Sequence, residues 1–221
     1  MTGFFWQEQE DKQILTRNNL EPSIKTILFS ENVRLLKQFY INKGVNFVAY
    51  TFGKATHHIA TNASIVIINK KFAPINKLLN GFIIYTYEIT NKVINENYIL
   101  SKQKDLILGR FTIPEAFQHQ LYQPTTNNWI SIIRHEDIKE AKEFFEEIGD
   151  WQQERHGEGP LHYSLSNDGN IFEIYPLRKR PCNRTEFIVQ NYSSAFSNKH
   201  IVFDPDGRQI CLASLKLSAE E

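Results

Sequence analysis

At 221 residues, 41% of them hydrophobic and with 16 Phe and 9 Tyr, the chain holds enough apolar material for a packed core, which excludes a disordered protein. Its 25 basic residues balance 25 acidic ones, so it carries no electrostatic footprint for DNA, RNA or an anionic membrane. Two cysteines, Cys182 and Cys211, are too few for a disulfide scaffold and lack C-x-x-C spacing; free thiols of this kind suit a reducing cytosol.

The opening stretch, MTGFFWQEQEDKQILTR, turns charged after six residues, so it does not read as a signal peptide, and residues 1–22 are taken as an N-terminal extension. No apolar run approaches the ~18 residues of a membrane helix, and a cytoplasmic protein is expected. The first strand is IKTILFS. It leads into an amphipathic helix that places Val33, Leu36, Phe39 and Tyr40 on one face, closed by Gly44 as a left-handed cap. Strands VNFVAYTF and SIVIINK follow, then GFIIYTYE and DLILGRF. The polar stretch QHQLYQPTTNNW breaks the pattern and sets a boundary between domains at 23–122 and 127–217.

The second half opens on WISIIRH. A helix face of Ile138, Ala141, Phe144, Phe145 and Ile148 comes next, ending at Gly149, and then the strands LHYSL and NIFEIYP. TEFIVQN and HIVFDPDGRQICLAS close the chain, the latter a hairpin turning at Pro205 and Gly207. Sliding the chain by 105 positions aligns the halves without gaps, pairing Ile27/Ile132, Glu31/Glu136, Lys37/Lys142, Phe39/Phe144, Gly44/Gly149, His57/His162 and Asn62/Asn167. Chance supplies about two such identities over this length. The fold class is therefore α+β, two domains each built on a β-α-β-β-β module.

Chemistry concentrates in HGEGPLHYSLSNDGNIFEIYP, residues 156–176. Asp168-Gly169 is a two-residue hairpin signal that sets Leu165 opposite Phe172, Tyr163 opposite Ile174, Ser164 opposite Glu173 and His162 opposite Tyr175. Alternation then gives one apolar face for the helix. The other face carries His162, Ser164, Ser166, Glu173 and Tyr175, either solvated or lining a cavity. His156 and Gly157-Glu158-Gly159-Pro160 form a loop, read as a structural connection. His57 and His58 are adjacent on a strand and so cannot both face one ion. His162 with Glu173 is open to two readings, an acid–base pair or a structural contact. Trp129 and Tyr175 are candidates to stack on a planar ligand.

The segment IIRHEDIKEAKEFFEEIGDWQQERHGEGPLHYSLSNDGNIFEIYP resembles the first module of the vicinal oxygen chelate superfamily, the glyoxalase, bleomycin-resistance and extradiol-dioxygenase group, and FDPDGRQICL resembles its closing hairpin. The resemblance implies paired modules forming a curled sheet whose concave side holds the ligand. It also implies one divalent metal bound by residues on the first and last strands of each module. Carried over residue by residue, Glu173 matches one ligand. The others fall at Trp129 or Ile130, at Cys211, and near Arg184-Thr185-Glu186; in the N-terminal copy the place of Glu173 falls at Ile67 or Ile68.

One ligand of four points away from a cofactor and toward a metal-free, sequestering small-molecule binder. His162, Ser164, Glu173 and Tyr175 would orient the ligand and Trp129 would wall it. Two rivals stand beside this reading. One is a metal-dependent lyase or dioxygenase using Glu173 with His162 or Cys211. The other is a protein-interaction or inhibitor module with a vestigial pocket. The second module of each half is too short for a helix, so an apolar flank is left open, to be covered in a homodimer or by packing between the halves.

Overall fold

A computed structural model of the protein describes residues 22–88, 97–121, 127–167, 169–177, 184–191 and 200–214; Asp168 and Cys182 lie outside the described residues. The first half runs β1 (Ser23–Ser30), α1 (Val33–Ile41), β2 (Phe47–Phe52), β3 (Ala55–Ala60), β4 (Ile65–Asn69), β5 (Asn80–Glu88), β6 (Asn97–Leu100), β7 (Leu106–Pro114) and α2 (Glu115–Leu121). The second runs β8 (Asn127–His135), α3 (Ile138–Phe144), β9 (Gln152–Glu154), β10 (His162–Asn167), β11 (Asn170–Pro176), β12 (Thr185–Asn191), β13 (His200–Phe203) and β14 (Gln209–Ser214).

Local chemistry accounts for the helix starts. Asn32 accepts a hydrogen bond from the Leu35 amide at 3.0 Å, and Asp137, 105 residues later, accepts from Lys139 and Glu140. Gly44 is left-handed (φ 84°), as a C-terminal cap requires. Gly149 does not follow it. There the helix gives way to a 3-10 turn, and the glycine is extended (φ 158°, ψ −177°). It is small for another reason: a Cβ at this position would lie 2.6 Å from Leu165 Cδ1.

Each half forms one seven-stranded sheet. The orders are β2-β3-β4-β1-β5-β7-β6 and β9-β10-β11-β8-β12-β14-β13, the same topology strand for strand. Within each sheet a full β-α-β-β-β module has its first and last strands parallel, β1 with β4 and β8 with β11. A shortened module without a helix, β5–β7 or β12–β14, joins it antiparallel through the two first strands.

The sheets pack on each other by their helix-bearing inner faces, and each helix covers the other half's bare module. Leu36 and Tyr40 of α1 pack with Trp129, Phe187, Val189 and Ile210 of the second sheet. Ala141 of α3, with Phe145 just after it, packs on Ile24, Phe82, Leu106 and Leu108 of the first. The apolar flank left open by each shortened module is thus covered by packing between the halves. Equivalent residues meet across the junction: Thr185 Oγ1 donates to Asn80 Oδ1 at 2.8 Å, and these positions are 105 apart. Polar ties reinforce the seam. Tyr40 hydroxyl reaches Asp204 at 3.1 Å, and Asp105 contacts His135 at 3.0 Å and Arg184 at 3.1 Å. No helix among the described residues is long and apolar enough to cross a membrane.

Phe82 is the clearest test of the shared core, fully buried with Phe145, Phe172 and Trp151 at ring distances of 4.8, 5.3 and 6.2 Å. Phe82→Ala is expected to cost about 3–5 kcal/mol. Urea unfolding followed by circular dichroism and by tryptophan fluorescence should move as one transition. Two separated transitions would show that the halves do not share their stability.

Candidate functional site

Because inner faces are committed to the core, strand alternation assigns the outer faces. On the second sheet the outer face carries Arg134 from β8, His162 and Ser164 from β10, Glu173 and Tyr175 from β11, and Glu186 from β12. The expected hairpin register is observed, with Ser164 opposite Glu173 and Tyr163 opposite Ile174. Glu173 and Glu186 flank Ile132 from either side, and Tyr175 lies beside Arg134. Arg134, His162, Ser164, Glu173 and Glu186 are all buried, so this polar face is covered rather than solvated.

The groups are held in defined places. The His162 ring stacks on Tyr175, centroids 4.2 Å apart and planes 10° from parallel, and the Arg134 guanidinium lies 5.4 Å from the Tyr175 ring centroid. Arg134 grips both oxygens of Glu186 at 2.7 and 3.0 Å and donates to the Pro176 carbonyl at 3.1 Å. His162 Nδ1 lies 3.2 Å from the Pro160 carbonyl. A carbonyl can only accept, so Nδ1 carries a proton, and the Nδ1–H tautomer has its lone pair at Nε2. That buried Nε2 has no hydrogen-bond partner; Glu154 Oε2 lies 3.8 Å and Glu173 Oε1 4.0 Å from it. His162 and Glu173 are therefore too far apart for a direct hydrogen bond.

Burial pushes the Glu173 carboxyl up to about 7; His156 and Arg134 oppose this and Glu154 adds to it. Tyr175 is pushed up to about 12, again by burial first and by Glu173 second.

The first sheet repeats this framework with different contents. Ile27 pairs with Val66 as Ile132 pairs with Glu173, and Ile59 pairs with Val66 as Ser164 does with Glu173. The counterpart of Glu173 is thus Val66, not Ile67 or Ile68. The reason is that the second hairpin is two residues longer, which shifts the last strand against the ungapped alignment. Phe29 replaces Arg134 and Ile68 replaces Tyr175. His57 stands where His162 stands, but it is packed between Phe52 and Phe111, each 4.6 Å away, and its Nδ1 meets the Tyr85 hydroxyl at 2.9 Å. Burial, with His58 adding, pulls its pKa down to about 3, so it is neutral. Phe117 and Leu121 of α2 complete an apolar filling of this face.

Of the residues singled out from sequence, His162, Ser164, Glu173 and Tyr175 come together. Trp129 does not join them. Its parity turns it inward, where it is buried against Tyr40 and Phe187 at 6.3 and 6.0 Å. Sequence reading missed Arg134, although it shares its parity with Ile130 and Ile132, and named Glu186 only within the stretch where the resemblance places a ligand. It also missed Glu154 and took His156 for part of a structural connection; both reach His162 through the edge pairing of β9 with β10.

The metal positions implied by the resemblance do not fit an ion. Trp129 faces away, Ile130 is apolar, both oxygens of Glu186 are engaged by Arg134, and Cys211 is a free, half-buried thiol paired beside Ile188 and Ile201. A different set does converge: Glu154, His156 and His162 each bring one potential ligand atom within 4.8 Å of the others.

No family model and no curated protein matches the sequence. Among solved structures, a hypothetical protein from Staphylococcus aureus is similar over 87% of this chain and 97% of its own, with TM-score 0.50 and 9% identity. The 2,2',3-trihydroxybiphenyl 1,2-dioxygenase of Sphingomonas wittichii aligns over 87% and 89% (TM-score 0.46, 8% identity). A variant of homoprotocatechuate 2,3-dioxygenase from B. fuscum aligns over 87% and 70% (TM-score 0.43, 9% identity). At such identities the likeness is one of fold. Strand order, parallel pairing within each module and the antiparallel join between modules are the same in both halves, as paired β-α-β-β-β modules require.

The raised Glu173 carboxyl has a pH signature. Below about 4.5 it is protonated in both folded and unfolded chains; between there and about 7 the unfolded chain ionises first, so stability falls as pH rises through this window. In buffer containing EDTA, Glu173→Gln should match the parent near about pH 4 and exceed it at about pH 8. Denaturant midpoints at both pH values measure this. A variant weaker than the parent at the higher pH would mean that partners favour the carboxylate there.

Proposed function

We propose that this protein binds a small organic molecule in the polar recess on the outer face of the second sheet. One observation carries the reading, the contrast between two faces of common design. Positions 29, 59, 66 and 68 fill the first face with apolar side chains, while the equivalent positions in the second hold Arg134, Ser164, Glu173 and Tyr175. Burying such groups costs stability unless they are partnered; Arg134 has Glu186, and a ligand would partner the buried His162 Nε2 and the Glu173 carboxyl.

The chemistry of the recess defines the ligand class. Tyr175, its ring held between His162 and Arg134, offers its edge and hydroxyl to a ligand. Glu173, poised near neutral pH, can donate a proton to a ligand oxygen or accept one from a ligand N–H or O–H. This binding requires no metal at the superfamily's positions, where the donor set is broken, and so a sequestering role is preferred over the lyase and dioxygenase rival. A vestigial pocket is disfavoured because apolar filling, the cheaper state, is what the first sheet already has.

A thermal-shift screen of small planar carbonyl and phenolic compounds, run in EDTA, tests the proposal. A hit should lose at least about tenfold in affinity in Tyr175→Ala and in Glu173→Gln, a difference of about 1.4 kcal/mol. Hits that bind both variants as tightly as the parent would place the ligand elsewhere and end this reading.

A further inference from the structure

We propose that Glu154, His156 and His162 form a divalent transition-metal site, with Zn2+ as its simplest occupant, at the edge of the second sheet and away from the positions that the superfamily resemblance assigns. The site goes beyond the proposed small-molecule recess and does not depend on it.

The backbone brings the three together. Glu154 ends β9 directly opposite His162 on β10, so their side chains share a face. His156 follows two residues after Glu154, before a tight turn in which the Gly159 amide donates to the His156 carbonyl at 3.0 Å and Gly157 is left-handed (φ 57°). Glu154 Oε2 is then 3.5 Å from His156 Nε2 and 3.8 Å from His162 Nε2. Ligands on a tetrahedral ion at about 2.0–2.2 Å stand about 3.3–3.6 Å apart, so small side-chain rotations complete the geometry.

The buried His162 is the independent sign of a ligand. It is 1% exposed, and its Nε2 is without a hydrogen-bond partner and is aimed at two carboxylates. Its Nδ1 is fixed on the Pro160 carbonyl, the outer-shell contact that orients metal-binding histidines and leaves Nε2 as the donor to the ion. Among the described residues, the ion pairs of Glu154 are with the two histidines alone. With each histidine offering its Nε2 lone pair, a cation satisfies the two nitrogens and the carboxylate at once. Three protein ligands leave a coordination position open, and Glu173 Oε1, 4.0 Å from His162 Nε2, is the next carboxylate in reach.

The test uses the full chain without a histidine tag, stripped with EDTA and titrated with ZnCl2 against a chromophoric chelator. Expected is one Zn2+ per chain, with affinity reduced about 100-fold or more in His156→Ala and Glu154→Gln. These residues are exposed or half-exposed, so both variants should unfold with the parent in EDTA, while Zn2+ stabilises the parent alone. Co2+ substitution should give the absorption of a four-coordinate ion in the parent only. Less than one equivalent bound, or equal binding by parent and variants, overturns the site and leaves an adventitious ion only. The ligand screen in EDTA reads the recess separately, so failure of one proposal is not failure of the other.

Discussion

The structure depends on one exchange. Each sheet contains a shortened module whose inner face is apolar and has no helix of its own. That face would be an exposed hydrophobic patch, and the chain closes it with the helix of the opposite half. Tyr40 and Leu36 serve the second sheet, and Phe145 and Ala141 the first. The hydrophobic effect rewards both burials, and neither half can keep its own inner face dry alone. Fixing the inner faces in this way also fixes the outer ones, because a strand offers its side chains alternately.

The two outer faces, set by the same framework, have been used oppositely. In the first sheet Phe52, Phe111, Tyr85 and Ile83 join Val66 and Ile68 in a cluster closed by residues of α2. In the second, Arg134 is neutralised by Glu186, and Glu173 is left with a carboxyl that burial holds near neutral pH. Apolar filling stabilises; a buried carboxyl with a raised pKa does the reverse at higher pH. A chain whose first sheet is apolar at the positions facing Val66 and Ile68 gains margin to keep the second partly unsatisfied.

Much of this was legible in the sequence, for identifiable reasons. The repeat exposed the modules because the same helix face recurs 105 residues on. The register around Glu173 followed from a two-residue turn, since Asp-Gly admits few alternatives. Arg134 was also within reach of the same alternation that placed Glu173, and Trp129 could have been turned inward by it. What alternation does not give is pairing between strands far from a tight turn. Glu154 meets His162 through a short edge strand that reads simply as QQE. The identity of Val66 as the counterpart of Glu173 required the ladder itself, because a hairpin longer by two residues breaks an ungapped alignment without leaving a trace in composition.

His57 and His162 show how little of a side chain's chemistry its position determines. The repeat places both on the third strand of their modules, both are fully or almost fully buried, and both have an Nε2 without a hydrogen-bond partner. Around His57 stand Phe52, Phe111 and the Tyr85 hydroxyl, an environment that penalises charge and pulls the pKa down to about 3, leaving a neutral ring that serves as packing. Around His162 stand Glu154, Glu173 and a second histidine, His156, whose ring centroid is 5.0 Å away. An unpartnered nitrogen among hydrocarbons invites nothing, since no cation gains by entering there. The same nitrogen among carboxylates is half of a coordination shell, and the difference lies wholly in the neighbours that the sheet edge supplies.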